Sequence, residues 1–167
     1  TYQKVSGYGG FVNSPQFGYG HMSENEIRQV WGKGSNLGLN IMRIYIPIGE
    51  SNWWQCVSTA KLAKSLGLTL FASPWSMPAE WKTYNSINAV YTDANGVQQT
   101  TSLREEYYAD YANYLNNFVI YLRNNGVELD AISIQNEPDE KASYAGCIWS
   151  PAQIANFLKN HRNRINC

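Results

Sequence analysis

Apolar and polar positions alternate between two periods along this chain, and the switches divide it into repeating units. Val5 to Phe11 is a short apolar stretch broken by Gly7, Gly9 and Gly10, which predicts a strand running into a tight loop. Ser23 and Glu26 form a Ser-x-x-Glu capping box ahead of Ile27, Val30 and Trp31, one face of a first helix that ends in the glycine-rich Gly32–Gly38. Leu39 to Ile46 is a β-branched run stopped by Pro47 and Gly49, a second strand. Ser51 or Asn52 is placed to cap a helix whose apolar face is Val57, Ala60, Leu62, Ala63 and Leu66, with Gly67 as its left-handed stop. Leu68 to Ala72 predicts a third strand, followed by the loop Ser73-Pro-Trp-Ser-Met-Pro78.

The next stretch, Thr83 to Thr101, is long and polar, and Asn95-Gly96 inside it signals a hairpin. Ser102 with Glu105 offers another capping box before a long helix, whose apolar face runs Tyr107, Tyr111, Tyr114, Leu115, Phe118, Tyr121 and Leu122 and which closes at Asn125-Gly126. Ala131 to Gln135 alternates as a fourth strand, and Ser150-Pro151 with Gln153 opens a last helix. Four strand–helix units in succession predict a parallel sheet with right-handed crossovers.

In such folds catalytic side chains sit at the C-terminal tips of strands. Here the polarity switches sharply at three tips: Arg43 inside strand two, Trp75 after strand three, and Asn136-Glu137 after strand four, where Pro138 ends the ladder. A guanidinium within an apolar strand calls for a carboxylate partner, either Glu137 or an acid outside the chain. Five of the six tryptophans, Trp53, Trp54, Trp75, Trp81 and Trp149, fall between a strand end and the body of the next helix, which places them on that same face. Flat rings with polar edges match the apolar C–H faces and hydroxyl rims of sugars. Trp31, on a helix face, reads as core.

Composition narrows the partners. The 167 residues suffice for one domain with a real core, formal net charge is zero, and only 16% of residues are charged. Interspersed charges give no footprint for nucleic acid or an anionic membrane, and Lys159, His161, Arg162 and Arg164 are accounted for by a helix C-terminus. No apolar run approaches membrane-spanning length. A start at Thr1 implies a mature or trimmed chain. Cys56, Cys147 and Cys167 lack metal-ligand spacing and permit at most one internal bridge.

Gly7-Tyr-Gly-Gly10, Ile41-Met-Arg-Ile-Tyr45, Ala72-Ser-Pro-Trp-Ser-Met-Pro78 and Ser133-Ile-Gln-Asn-Glu-Pro-Asp139 with Cys147-Ile-Trp149 together resemble glycoside hydrolase family 30, most of all its bacterial glucuronoxylanase-like endo-xylanases. The resemblance covers nearly the whole chain. It implies an α/β fold, the N-terminal half of a (β/α)8 TIM barrel of about four βα units, with residues 1–167 a partial catalytic domain. It also implies a secreted, cofactor-free retaining endo-β-1,4-xylanase acting on plant cell-wall polysaccharide. Glu137 would be the general acid/base, Asn136 would bind the 2-hydroxyl beside the scissile bond, Trp75 would line that subsite, Arg43 would orient the nucleophile, and Trp53 and Trp149 would flank the cleft.

A whole barrel takes roughly 200–250 residues or more, and the family nucleophile, a Glu on the seventh strand, has no counterpart here. Glu50, Glu80 and Glu140 do not match its position. The expectation is therefore an acid/base half that is inactive alone and is completed by a C-terminal half-barrel chain or segment. The alternatives are a non-catalytic carbohydrate-binding or structural half-barrel, or a relative acting on β-1,6-glucan.

Overall fold

A computed structural model describes residues 3–17 and 20–167. Four parallel strands, β1 (Gly9–Val12), β2 (Ile41–Ile46), β3 (Thr69–Pro74) and β6 (Ala131–Ile132), form one sheet in that order. Between β3 and β6 lies an antiparallel hairpin, β4 (Val90–Thr92) and β5 (Gln98–Thr100), turning at Asn95-Gly96 as its sequence requires. Among the described residues four α-helices complete the fold: α1 (Glu24–Val30), α2 (Val57–Ser65), α3 (Tyr108–Asn124) and α4 (Pro151–His161).

The period-2 pattern of the strands sorts side chains between two faces. Met42, Ile44 and Ile46 of β2 and Leu70 and Ala72 of β3 join one core with Ile27 of α1, Ala60 and Ala63 of α2, Phe118 and Leu122 of α3, and Phe157 of α4. The alternate positions Phe11, Arg43 and Phe71 stand in register across β1, β2 and β3 and remain partly exposed. Gly9 is required in β1 because a Cβ there would lie 2.6 Å from the Ile41 carbonyl oxygen. β1 runs over Gly9–Val12, shorter than the Val5–Phe11 expectation.

Two capping boxes form, Ser23 with Glu26 and Ser150 with Gln153, the latter with Pro151 at the first helical position. The others do not. Ser102 donates its N–H to Thr83 Oγ1 and Glu105 receives the Asn156 amide, so α3 is entered through a 3-10 turn at Glu105–Tyr107. Neither Ser51 nor Asn52 caps α2, which grows out of a 3-10 stretch, Glu50–Cys56, without a side-chain cap. Gly67 takes φ 72° and returns its N–H to Lys64, a left-handed stop. All three cysteines are free, Cys56 and Cys147 buried and Cys167 exposed.

β6 is two residues long where five were expected. Backbone bonds to β3 continue past it, from Ser133 N to Ala72 O (2.8 Å) and from Asn136 N to Pro74 O (2.9 Å). Between them the Ser133 hydroxyl donates to the Gln135 carbonyl at 3.0 Å, drawing that segment off the ladder. The departure turns Gln135, Asn136 and Glu137 toward the site.

Candidate active site

Gln135 is buried and anchors the strand tip. Its Nε2 donates to the carbonyls of Trp75 (2.7 Å) and Asn136 (2.9 Å), and its Oε1 accepts the Trp149 indole N–H at 3.2 Å. One amide thus fixes the end of β3 to the end of β6. Asn136 sits beside it, and its Oδ1 accepts Arg43 Nη2 at 2.5 Å while its Nδ2 donates to Glu137 Oε2 at 3.0 Å. A guanidinium only donates, so the amide atom facing Arg43 must be oxygen, and the NH2 group is forced toward Glu137.

Glu137 takes φ 43°, a left-handed conformation costly for a residue with a Cβ, and strain of this kind concentrates at functional positions. Its carboxyl group is exposed at the tip. Besides the bond from Asn136, Oε2 accepts the Tyr144 hydroxyl at 3.3 Å.

Arg43 does not meet a carboxylate directly, which corrects the expected pairing. Nη2 is shared between Ser73 Oγ (2.9 Å) and Asn136 Oδ1, and the link to Glu137 passes through the asparagine. Its guanidinium carbon lies 4.6 Å from the Trp75 ring centroid and 5.4 Å from that of Phe11, between two aromatic faces. Burial lowers its pKa and the charge of Glu137 opposes that shift. With an intrinsic value above 12 the group stays cationic.

A cavity of about 670 Å³ opens at these strand ends, lined among others by Asn13, Phe17, Tyr45, Trp75, Asn88 and Tyr144. Tyr45, the next-to-last residue of β2, has its ring 5.1 Å from Trp75, and its buried hydroxyl has no hydrogen-bond partner among the described residues. The far wall is held by Lys82, only 2% exposed, which no sequence signal singled out. Its ammonium donates to Ser76 Oγ and to the carbonyls of Ile87, Asn88 and Gly146, and burial brings its pKa down to about 8. Gly146 N–H bonds to Ile87 O and Ala89 N–H to Tyr144 O, so the two wall loops pair as a short ladder over the lysine.

Two expected cleft residues lie elsewhere. Trp53, 2% exposed, packs on Tyr114, Phe118 and Tyr121 of α3 and donates to Pro47 O. Trp149, 4% exposed, lies among Tyr108, Tyr111 and Phe157. Neither ring offers a face to a ligand; Trp149 acts on the site through its indole bond to Gln135 and through its backbone N–H, which donates to Pro138 O at 2.8 Å. Sequence reasoning also missed Gln135, Tyr45, Tyr144 and Lys82. Gln135 alone left a signal, as a polar residue at the last strand position before Asn136. Among the described residues no group of three His, Cys, Asp or Glu could hold a metal ion, and no helix is long and apolar enough to cross a membrane.

A parallel strand–helix series whose tips bring together Arg43, Trp75, Asn136 and Glu137 beside a cavity has the arrangement of part of a TIM barrel. The model of the glycosyl hydrolase family 30 TIM-barrel domain matches residues 39–162. The chain belongs to glycosyl hydrolase family 30, and its four-stranded sheet is the N-terminal half of that barrel. It is 37% identical over 166 residues to the glucuronoxylanase XynC of Bacillus subtilis, covering 98% of this chain and 36% of that protein. A family 30 subfamily 8 xylanase from Clostridium acetobutylicum superposes with TM-score 0.77 at 33% identity, over 95% of this chain and 39% of that one. A family 30 endoxylanase from Clostridium papyrosolvens gives TM-score 0.74 at 31% identity, over 99% and 41%. The chain therefore spans about two fifths of these relatives.

Proposed function

We propose that this chain supplies the acid/base half of a secreted retaining endo-β-1,4-xylanase acting on plant cell-wall xylan. The observation that carries the reading is the Arg43–Asn136–Glu137 relay, joined to the cavity by Trp75 against Arg43 and by the Tyr144 hydroxyl on Glu137. Hydrolysis with retention takes two carboxyl groups about 5–5.5 Å apart, one protonating the leaving oxygen and one attacking the anomeric carbon. Glu137 fills the first role, since its carboxyl is exposed at the tip on a strained backbone that fixes its direction. It donates its proton to the departing glycosidic oxygen, then takes one from the water that releases the glycosyl intermediate.

Asn136, oriented by Arg43, donates one N–H of its amide to Glu137, and the second is the donor for a sugar 2-hydroxyl. Trp75 offers a partly exposed ring to the sugar face. Arg43, cationic and held between two aromatic rings, provides the positive field in which an incoming nucleophilic carboxylate stays ionised. That carboxylate belongs to the remaining half-barrel, which would also cover the Phe11–Arg43–Phe71 row and pair the outer strands β1 and β6.

The test is Glu137→Gln in the complete barrel, assayed on xylan. A loss on the order of 10²–10⁴-fold is expected, and a smaller one with an aryl xyloside whose leaving group needs no proton. Near-normal rates on xylan would reject the role. Hydrolysis of xylan by residues 1–167 alone as a stable monomer would instead reject the half-barrel reading.

A further inference from the structure

The polar excursion between β3 and α3 carries a feature that neither the core nor the acid/base site uses. Tyr84 and Tyr91 stack with ring centroids 5.2 Å apart and planes 9° from parallel, yet they are 50% and 38% exposed. Tyr84 adopts φ 60°, ψ 12°, and Asn85 beside it φ 47°. Two successive side-chain-bearing residues in the left-handed region hold the Tyr84 ring out over the hairpin at a conformational cost. The stack lies outside the core, because both rings keep more than a third of their surface exposed.

The mount beneath the stack is rigid. Thr83 and Ser102 exchange bonds of 2.9 Å through N–H to O and N–H to Oγ1, and Thr101 N–H reaches Ala89 O at 2.9 Å. Asp93 accepts the N–H groups of Asn95 and Val97, both at 2.9 Å, and so closes the hairpin turn. Lys82, next to Thr83, bolts the same segment to the wall loops through Ile87 and Asn88. A platform fixed in advance loses little entropy on binding.

The stack is also continuous with the cleft. Asn88 lines the 670 Å³ cavity and Tyr91 follows three residues later, so the two Cα atoms are no more than about 10 Å apart. A few sugar rings bridge that span. Gln99 stands opposite Tyr91 across the hairpin, and its Nε2 donates to Asp93 Oδ2 at 3.4 Å, which ties the strand under Tyr91 to the turn.

We propose that Tyr84 and Tyr91 form a remote carbohydrate-binding platform, which receives the length of β-linked xylan that runs past the cleft wall at Asn88. The proposal rests on the assignment of xylan as substrate and extends it from the reacting sugar to the polymer. A remote platform strengthens binding of long chains without touching the chemical step.

The experiment is the double variant Tyr84→Asn/Tyr91→Ser in the complete barrel, with Asn chosen because it tolerates positive φ. Removing both rings should raise KM on polymeric xylan roughly three- to tenfold and leave kcat unchanged. The shortest xylo-oligosaccharide that is cleaved should keep its wild-type KM. An unchanged KM on polymer, or an equal change on polymer and short oligosaccharide, overturns the platform. Retardation in xylan-containing native gels, measured in the Glu137→Gln background, reads binding without catalysis; equal retardation with and without the two tyrosines has the same consequence. Tyr91→Ser alone, expected to weaken the retardation in part, decides the matter if the double variant fails to fold. A wild-type barrel that does not hydrolyse xylan defeats the enzyme reading instead, and the gel arm still judges the platform.

Discussion

Trp75 and Trp149 each follow a strand of the same sheet, yet one lines the cavity and the other is sealed inside the protein. Trp75 lies directly past β3, with Arg43 on its face and Tyr45 beside it. Trp149 comes after a loop that first passes the wall at Tyr144–Gly146, then drops back so that the indole meets Tyr108 and Tyr111 of α3. Trp53 follows the same course on the other side of α3. Position in a strand–loop–helix series assigns a residue to the catalytic face of the barrel. Depth below that face depends on which helix the ring can reach, and α3 presents enough aromatic surface to bury two of the five loop tryptophans, Trp53 and Trp149, and to hold a third, Trp81, edge-on against Tyr114.

The sharpest way to break this contrast is stability. Trp149→Ala or Trp53→Ala, each removing a buried indole, should cost about 3–5 kcal/mol, read as a fall in the denaturant midpoint of the complete barrel. Trp75→Ala should leave that midpoint within about 1 kcal/mol, since its ring is partly in solvent already. Its effect should fall on kcat/KM instead, a loss of roughly ten- to a hundredfold on xylan, or about 1.4–2.7 kcal/mol. Equal destabilisation by Trp75→Ala and Trp149→Ala would end the distinction between cleft and core.

Lys82→Met tests the wall. Removing the ammonium takes one donor each from the carbonyls of Ile87, Asn88 and Gly146, which keep Gly146 N–H, the Thr101 hydroxyl and the Ser76 hydroxyl as partners, and should cost about 0.5–1.5 kcal/mol in thermal or chemical denaturation. A variant as stable as the parent would show that the loops hold without it.

The smallest effect is on pH. Lys82 has its pKa lowered from 10.5 to about 8 by burial, so between those values the unfolded chain holds a proton that the folded one has released. Stability should therefore rise with pH above 8, with a slope reaching at most about 1.4 kcal/mol per unit. Cys147, raised by burial from 9 to about 11, and Cys56, raised to about 12, act in the opposite sense: the unfolded chain loses their protons first, and stability falls above pH 9. A maximum near pH 9 is expected in thermal midpoints, and Lys82→Met should abolish the rise that leads to it.

The order of strands and helices was legible because burying one face of each element imposes its own period on the chain, 2 in Ile41–Ile46 and near 3.6 in Tyr108–Leu122. The Asn-Glu-Pro tip was legible for the same reason, as polarity ending an apolar strand. Boundaries were less so. Ser102 and Glu105 have the spacing of a capping box, but the hairpin and α4 offer both residues other partners, and those partners prevail.

What the sequence determined by itself is the parallel strand–helix order, the identity of the groups at the strand tips and the hairpin at Asn95-Gly96. Each follows from local periodicity and backbone chemistry. Tertiary structure alone decided that Arg43 reaches Glu137 through Asn136, that Trp53 and Trp149 are core, and that a buried lysine ties the wall loops together. Those outcomes depend on contacts between residues as far as 93 positions apart. No local pattern encodes them, because the competing partners of a polar or aromatic side chain are set only when the elements pack.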